Sequence, residues 1–420
     1  MDRWLRKAKR LRATEEWHEH LTCCLQWTKE QPEEAKGWHN LGMGYVNLHR
    51  PEEAVNAFQR VIEIQPDNPK GWQNLGNAYL ESGLGADAVK AYRQAVRLCP
   101  DDAEALHSLG MAYNTIERYQ EAIEIFQDVL KLTPEQSGIW LDLAGAHIAA
   151  IRYDEAMDAV LQALKIDPDR ESVWHALGVV HFHRKNYEAA LEANLEALKI
   201  NQDYGDAWYN IGSIYERMER FSEAAEAFEN ATQCEPEAAE YWGRLGNVYY
   251  LLDRYEDAVN IYCQLLKMNL DNAPVLNELA TIYAELKKYD EAIETYSQAL
   301  LLDPDMEFSW YNLGTLHDQI DNTESAIIAY EQALRINPFS TDTSLSLGID
   351  YGKVERYSDA IKIFERALKF NPDNATIQYN IGYVHLLSGN ASKAYEVAER
   401  LCSLDDGLSL MLFDEIDKRE

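Results

Sequence analysis

The chain has 420 residues, with 39 Lys+Arg against 71 Asp+Glu, a formal charge of −32 and 46% hydrophobic residues. That apolar content suffices for a folded protein, while the acidity argues against non-specific binding to DNA, RNA or an anionic lipid leaflet, whose phosphates it would repel. No stretch approaches 18 uninterrupted apolar residues, so no membrane-spanning helix is expected.

The chain opens on a basic run, Arg3, Arg6, Lys7, Lys9, Arg10 and Arg12, with no apolar core and no small-residue cleavage site. A secretory signal is therefore not expected. Cys23, Cys24, Cys99, Cys234, Cys263 and Cys402 form no C-x-x-C pair and no zinc or disulfide spacing. The expectation is free, mostly packed thiols in a reducing cytoplasm. The basic run has two readings, a surface for a membrane or acidic partner or an atypical first helix. Trp4, Ala8 and Leu11 favour the second, because they keep a spacing that runs through the rest of the chain.

That spacing is 34 residues. Trp4, Trp38, Trp72, Trp140, Trp174, Trp208, Trp242 and Trp310 stand at one step or a multiple of it, and so do prolines from Pro32 and Pro66 to Pro338 and Pro372. An alanine recurs without exception from Ala54, Ala88 and Ala122 through to Ala360 and Ala394. A Gly or Ala follows four residues after the tryptophan position, as in Gly42, Gly76, Ala144, Gly178 and Gly382. Twelve units of 34 cover residues 1–408 with no insertion or deletion. A strict internal period of this length is the signature of a repeat architecture.

Each unit reads as two helices. In 205–238, Trp208, Ile211, Gly212 and Tyr215 recur at i, i+3, i+4 and i+7, one helical face. A short turn follows, then Ala224, Phe228 and Ala231 form a second stripe, and Pro236 ends it. Small residues at Gly212 and Ala224 are expected to let the two helices approach closely. No unit can bury both stripes alone, so stacking on its neighbours must supply the core.

The W-x2-L-G-x2-Y…A-x3-F…P pattern resembles the tetratricopeptide repeat, and the resemblance covers essentially the whole chain. It implies an all-α, right-handed superhelical solenoid of about twelve helix pairs. First helices would line a concave groove that binds an extended or helical peptide. The expected organisation is an N-terminal capping repeat at 1–34, ten regular repeats at 35–374, a C-terminal atypical repeat at 375–408 and a tail at 409–420. The first unit has His20 where other units have alanine and Trp27 where they are small, and unit 375–408 has Gln378 and Asp406 in place of Trp and Pro. The tail reads as an acidic capping turn or short helix, with Leu408, Leu412 and Ile416 on one side.

No catalytic, cofactor or metal site is expected. His147, His181, His317 and His385 occupy a position that holds tyrosine in other units, which makes them packing substitutions. His175 and His183 lie eight residues apart on one helix, about 12 Å along its axis, too far for a shared metal. No H-E-x-x-H, G-x-S-x-G or glycine-rich phosphate loop occurs. Paired carboxylates such as Glu52/Glu53 and Asp154/Glu155 head second helices, where they suit the helix dipole.

The groove carries the functional expectation. Family geometry directs positions 2, 5, 6, 9, 12 and 13 of each unit into it. The two-carboxylate clamp that binds the C-termini of Hsp70 and Hsp90 needs lysine at position 5, and no unit has one there, so that clamp is absent. Asn40, Asn74, Asn210, Asn312 and Asn380 at position 6 could bond the backbone of a threaded peptide, or belong to the repeat's own packing. Units 137–170 and 171–204 have an apolar lining of Leu141, Gly145, Ile148, Ala149, Ala176, Val179 and Phe182, with His175 and His183 beside it. This section is either a docking site or packing within a locally tighter superhelix. Tyr209, Tyr250, Tyr311, Tyr379 and Tyr383 flank it, amphipathic groups that favour interfaces.

The expected function is a cytoplasmic, non-enzymatic scaffold or adaptor that binds a protein or peptide in the groove, and end repeats could pair to form a homodimer. The alternative is a chaperone or targeting receptor that captures an apolar client segment. Units 103–340 hold −26 of the net charge. Few of those acids fall at groove positions, so the acidity belongs mainly to the outer surface.

Overall fold

Short polar turns between amphipathic segments force consecutive helices to fold back on one another, and that is the arrangement found. The computed structural model describes residues 3–268 and 272–419, and among them every regular element is a helix. The helices fall into two compact units, divided after Met218. The first holds α1 (Arg3–Ala13), α2 (Trp17–Glu30), α3 (Ala35–Asn47), α4 (Pro51–Ile64), α5 (Pro69–Glu81), α6 (Gly85–Leu98), α7 (Ala103–Thr115), α8 (Tyr119–Leu132), α9 (Ser137–Ala149), α10 (Tyr153–Ile166), α11 (Glu171–His183), α12 (Tyr187–Ile200) and α13 (Gly205–Arg217). The second holds α14 (Phe221–Cys234), α15 (Ala239–Leu251), α16 (Tyr255–Met268), α17 (Ala273–Glu285), α18 (Tyr289–Leu302), α19 (Glu307–Gln319), α20 (Thr323–Ile336), α21 (Thr341–Lys353), α22 (Tyr357–Leu368), α23 (Ala375–Leu387), α24 (Ala391–Leu401) and α25 (Asp406–Asp417). Within each unit every helix packs on the next in sequence, an all-α stack of helix pairs. Among the described residues no helix is long and apolar enough to cross a membrane.

Three recurring contacts explain the period. The tryptophan indole donates across the junction between repeats, Trp38 to the Pro32 carbonyl at 2.7 Å, Trp140 to Pro134 at 2.9 Å and Trp310 to Pro304 at 2.9 Å. Gln378 keeps that bond without the ring, its Nε2 donating to the Pro372 carbonyl at 2.9 Å. The strict alanines, Ala54 to Ala394, are fully buried. The glycine after the tryptophan makes room for an aromatic ring of its own second helix. A Cβ on Gly42, Gly76 or Gly110 would stand 2.6–2.7 Å from Phe58, Tyr92 or Phe126. The expected close approach is thus a glycine beneath a ring. Where the ring gives way to Val160, the facing residue is Ala144, and both are buried.

The first helix of every repeat stops in the left-handed region at its fifteenth residue, among them Glu15 (φ 55°), His49 (φ 53°), Ile151 (φ 60°) and Lys287 (φ 58°), with glycine only at Gly83 and Gly389. The bond that closes this cap runs from the next amide to a carbonyl five residues back, as from Arg152 to His147 at 2.8 Å. Ile151 is β-branched and 74% exposed, so it carries the left-handed penalty with no burial to offset it. Ile151→Gly is expected to raise stability by about 1 kcal/mol, seen as a higher urea midpoint. An unchanged or lower midpoint would count against this reading of the turn.

The ends depart from the pattern in compensated ways. His20 and Trp27 are fully buried. His20 is accommodated by Gly44, whose Cβ would lie 3.0 Å from its Nδ1, and Trp27 packs over Gly37. The tail is more than a turn and starts earlier than expected. Asp405 caps α25 by accepting from the Leu408 amide at 3.0 Å, and Leu412 and Ile416 are fully buried while Leu408 stays half-exposed. Leu412 sits over Gly382, filling the place of the ring that Ala398 lacks.

Candidate functional site

The expected groove residues are divided between the two units. In the first, α9 packs on α11 and α11 on α13. Leu141 and Ile148 on α9 and Ala176 on α11 are half-buried, their inner sides against the core of the unit. Val179 and Phe182 are half-buried, Ala149 and Gly145 are exposed, and a Cβ on Gly145 would meet nothing within 4 Å. His175, Val179 and Phe182 are spaced i, i+4 and i+7, which sets them on one face of α11. Phe182 touches His183 and Tyr187, with ring centroids at 5.7 and 5.9 Å, and the exposed His183 stacks on Tyr153 at 5.3 Å. Burial holds the imidazoles of His175 and His183 below their ordinary pKa.

The position-6 asparagines are already engaged. Asn40 donates to the Lys36 carbonyl at 2.8 Å, and Asn74 to His39 Nδ1 at 3.2 Å. Asn210 is buried and donates to Asn194 Oδ1 at 3.3 Å. In the second unit Asn312 donates to the Tyr296 hydroxyl at 3.1 Å and Asn380 to the Thr376 carbonyl at 2.8 Å. Asn210 is therefore a packing residue and not the exposed backbone anchor that its position implies.

Two position-5 histidines reach forward instead. His39 and His107 lie against the rings of Phe58 and Phe126, with centroids at 6.0 and 5.9 Å. Each reaches forward to position 6 of the next repeat, where His39 meets Asn74 and His107 donates from Nε2 to Asp142 at 2.7 Å. His175 bonds instead to Asn194, at 3.2 Å. Asn194 stands where other units have Phe58, Tyr92 or Phe126, and it is fully buried. The repeat alignment contains this signal, since one polar residue interrupts a column of rings.

In the second unit the tyrosines pair. Tyr250 meets Tyr255 at 5.7 Å, Tyr311 meets Tyr330 at 5.8 Å, and Tyr379 stacks on Tyr383 at 6.2 Å and 8°. Burial, with Glu285 and Glu278 nearby, pushes the Tyr250 phenol up. Tyr209 belongs to the first unit and is half-buried. The packing histidines are where the sequence puts them, with His147 buried and His181, His317 and His385 half-buried. Among the described residues no group of three His, Cys, Asp or Glu side chains could hold a metal ion. Cys23 and Cys24 are buried, Cys234 and Cys263 half-buried, but Cys99 and Cys402 are exposed.

The family model described as the cytochrome c-type biogenesis protein H TPR domain matches residues 7–139, and that of the cilia and flagella-associated protein 70 C-terminal domain matches 139–306. Two further models, a tetratricopeptide repeat and a TPR repeat, match 277–341 and 353–389. None of the curated proteins compared matches. Among solved structures the chain is similar to YrrB, described as a TPR protein with an unusual peptide-binding site. It is 21% identical, with a TM-score of 0.40, over 43% of this chain and 94% of that one. With the helix pair of 34 residues running through both units and these models spread along it, the chain is a tetratricopeptide-repeat protein.

Proposed function

We propose that the chain is a non-enzymatic scaffold or adaptor that holds an apolar peptide segment on the first-helix face of repeats 137–170 and 171–204. The observation that carries this reading is the set Leu141, Ile148, Val179 and Phe182, half-open on two neighbouring first helices of an otherwise strongly acidic chain. Apolar side chains left half-open on neighbouring helices of such a chain support an interaction site. The flat rings of Phe182, Tyr153 and Tyr187 supply contact area at little entropic cost.

The test compares Ile148→Glu/Phe182→Glu with Ala149→Glu. The first pair is half-buried, whereas Ala149 is exposed and needs no repacking. Both variants are expected to keep their helical circular dichroism and to reduce recovery of the native partner about tenfold or more. Full recovery with Ala149→Glu and with the folded double variant would remove this face from consideration.

A further inference from the structure

We infer that His175 offers a fixed hydrogen-bond acceptor, its Nε2 lone pair, to a main-chain N–H of the apolar segment held on α9 and α11. The inference rests on the docking reading above and supplies the polar anchor that Asn210 does not. The network settles the tautomer. Asn194 Nδ2 donates to the Ala190 carbonyl at 2.8 Å, which fixes the orientation of the amide and leaves Oδ1 as the acceptor. That oxygen receives Asn210 Nδ2 at 3.3 Å and faces His175 Nδ1 at 3.2 Å. An amide oxygen only accepts, so Nδ1 carries the proton. Burial outweighs the pull of Asp206, the one charged group acting on the ring among the described residues, and keeps the imidazole neutral near pH 7. Nε2 is then a lone pair.

Among the described residues Nε2 has no partner, and it is not one of the sealed polar atoms. His39 spends Nδ1 on Asn74, and His107 spends Nε2 on Asp142, each in the next repeat. Asn194 stands in place of the ring and takes the bond of Asn210, so His175 does not meet position 6 of the next repeat as His39 and His107 do. Tyr204 walls the imidazole edge-on, at 5.5 Å and 83°. Val179 and Phe182 continue the same helix face. An apolar surround suits a main-chain amide better than a charged donor, whose desolvation it would not repay.

The test uses the full chain with a capped probe, Ac-Gly-Leu-Ile-Phe-Leu-Gly-NH2, and its single-ester analogues, in each of which oxygen replaces one main-chain N–H. One analogue is expected to bind about fivefold more weakly than the parent. His175→Phe should show the same loss and no sensitivity to that ester. Binding by the parent chain should also fall as pH drops through the lowered pKa of His175, while His175→Phe stays flat. Probe binding that is indifferent to every ester, or a 15N spectrum with the His175 proton on Nε2 at pH 7, would overturn the inference and leave the docking reading standing. Failure of both chains to bind any probe would overturn the two together.

Discussion

Lys353→Met is expected to destabilise the second unit by about 3 kcal/mol, the low end of the range for breaking a buried ion pair. Asp350 is the cause. It is fully buried at the tenth position of its repeat, where other repeats have Gly44, Ala78, Ala112, Val180, Ile282 or Leu316. Lys353 Nζ stands 2.7 Å from its Oδ1 and 2.8 Å from Asp318 Oδ1, and the Tyr330 hydroxyl donates to Asp318 Oδ2 at 3.0 Å. The ammonium is close but off the hydrogen-bonding line, so neither oxygen of Asp350 has a donor in good geometry. Loss of the ammonium leaves a buried, unpaired carboxylate. Lys353 is itself 48% exposed, which lets water follow and keeps the cost low in the range.

Burial, with Asp318 adding to it against Lys353, pushes the Asp350 carboxyl up from 3.8 to about 6. A folded pKa above the unfolded one stabilises fully below 3.8, and that contribution disappears as pH rises through about 6. The deficit of Lys353→Met should therefore narrow as pH falls from 7 towards 4, read as converging urea midpoints. Asp350→Leu, which copies Leu316, should be neutral or stabilising, and should recover most of the loss when combined with Lys353→Met. A deficit independent of pH, with no rescue by Asp350→Leu, would show that Lys353 acts by packing alone.

Phe126→Ala is expected to cost about 4 kcal/mol in the first unit. Phe126 is fully buried at the centre of that core, with Gly110 beneath its ring and His107 against it. The chain shows a milder solution in the next repeat, where Val160 faces Ala144. Phe126→Val should therefore cost less, and Gly110→Ala/Phe126→Val less than the two single costs combined, because the new methyl fills part of the space that the ring leaves. Denaturation midpoints with amide exchange over α7 and α8 read all four variants. A strictly additive double variant would contradict the glycine-under-ring account of the repeat.

The period, the helix pairs and the strict alanines were legible because no insertion disturbs the register. What stayed hidden lies in contacts between repeats. His20 and Trp27 read as departures of a capping repeat, while Gly44 and Gly37, one repeat onward, accommodate them. Gln378 reads as a lost tryptophan but keeps the indole's hydrogen bond. Asp350 was visible as a charge in an apolar column, and Asn194 as an amide in a column of rings. Neither residue sits at a groove position, so neither carries a groove signal. The apolar face was legible in composition. Its half-buried state was not, because side-chain depth depends on how closely α9 and α11 pack.

Photocrosslinking tests the docking face most directly. p-Benzoylphenylalanine is placed at Ile148, on the proposed face, or at Glu192, exposed on the second helix of the following repeat, and the chain is irradiated with its partners in native extract. The expected result is a discrete protein adduct from position 148 that Ala149→Glu abolishes, with none from position 192. Adducts from position 192 alone, or from both positions regardless of Ala149→Glu, would contradict it.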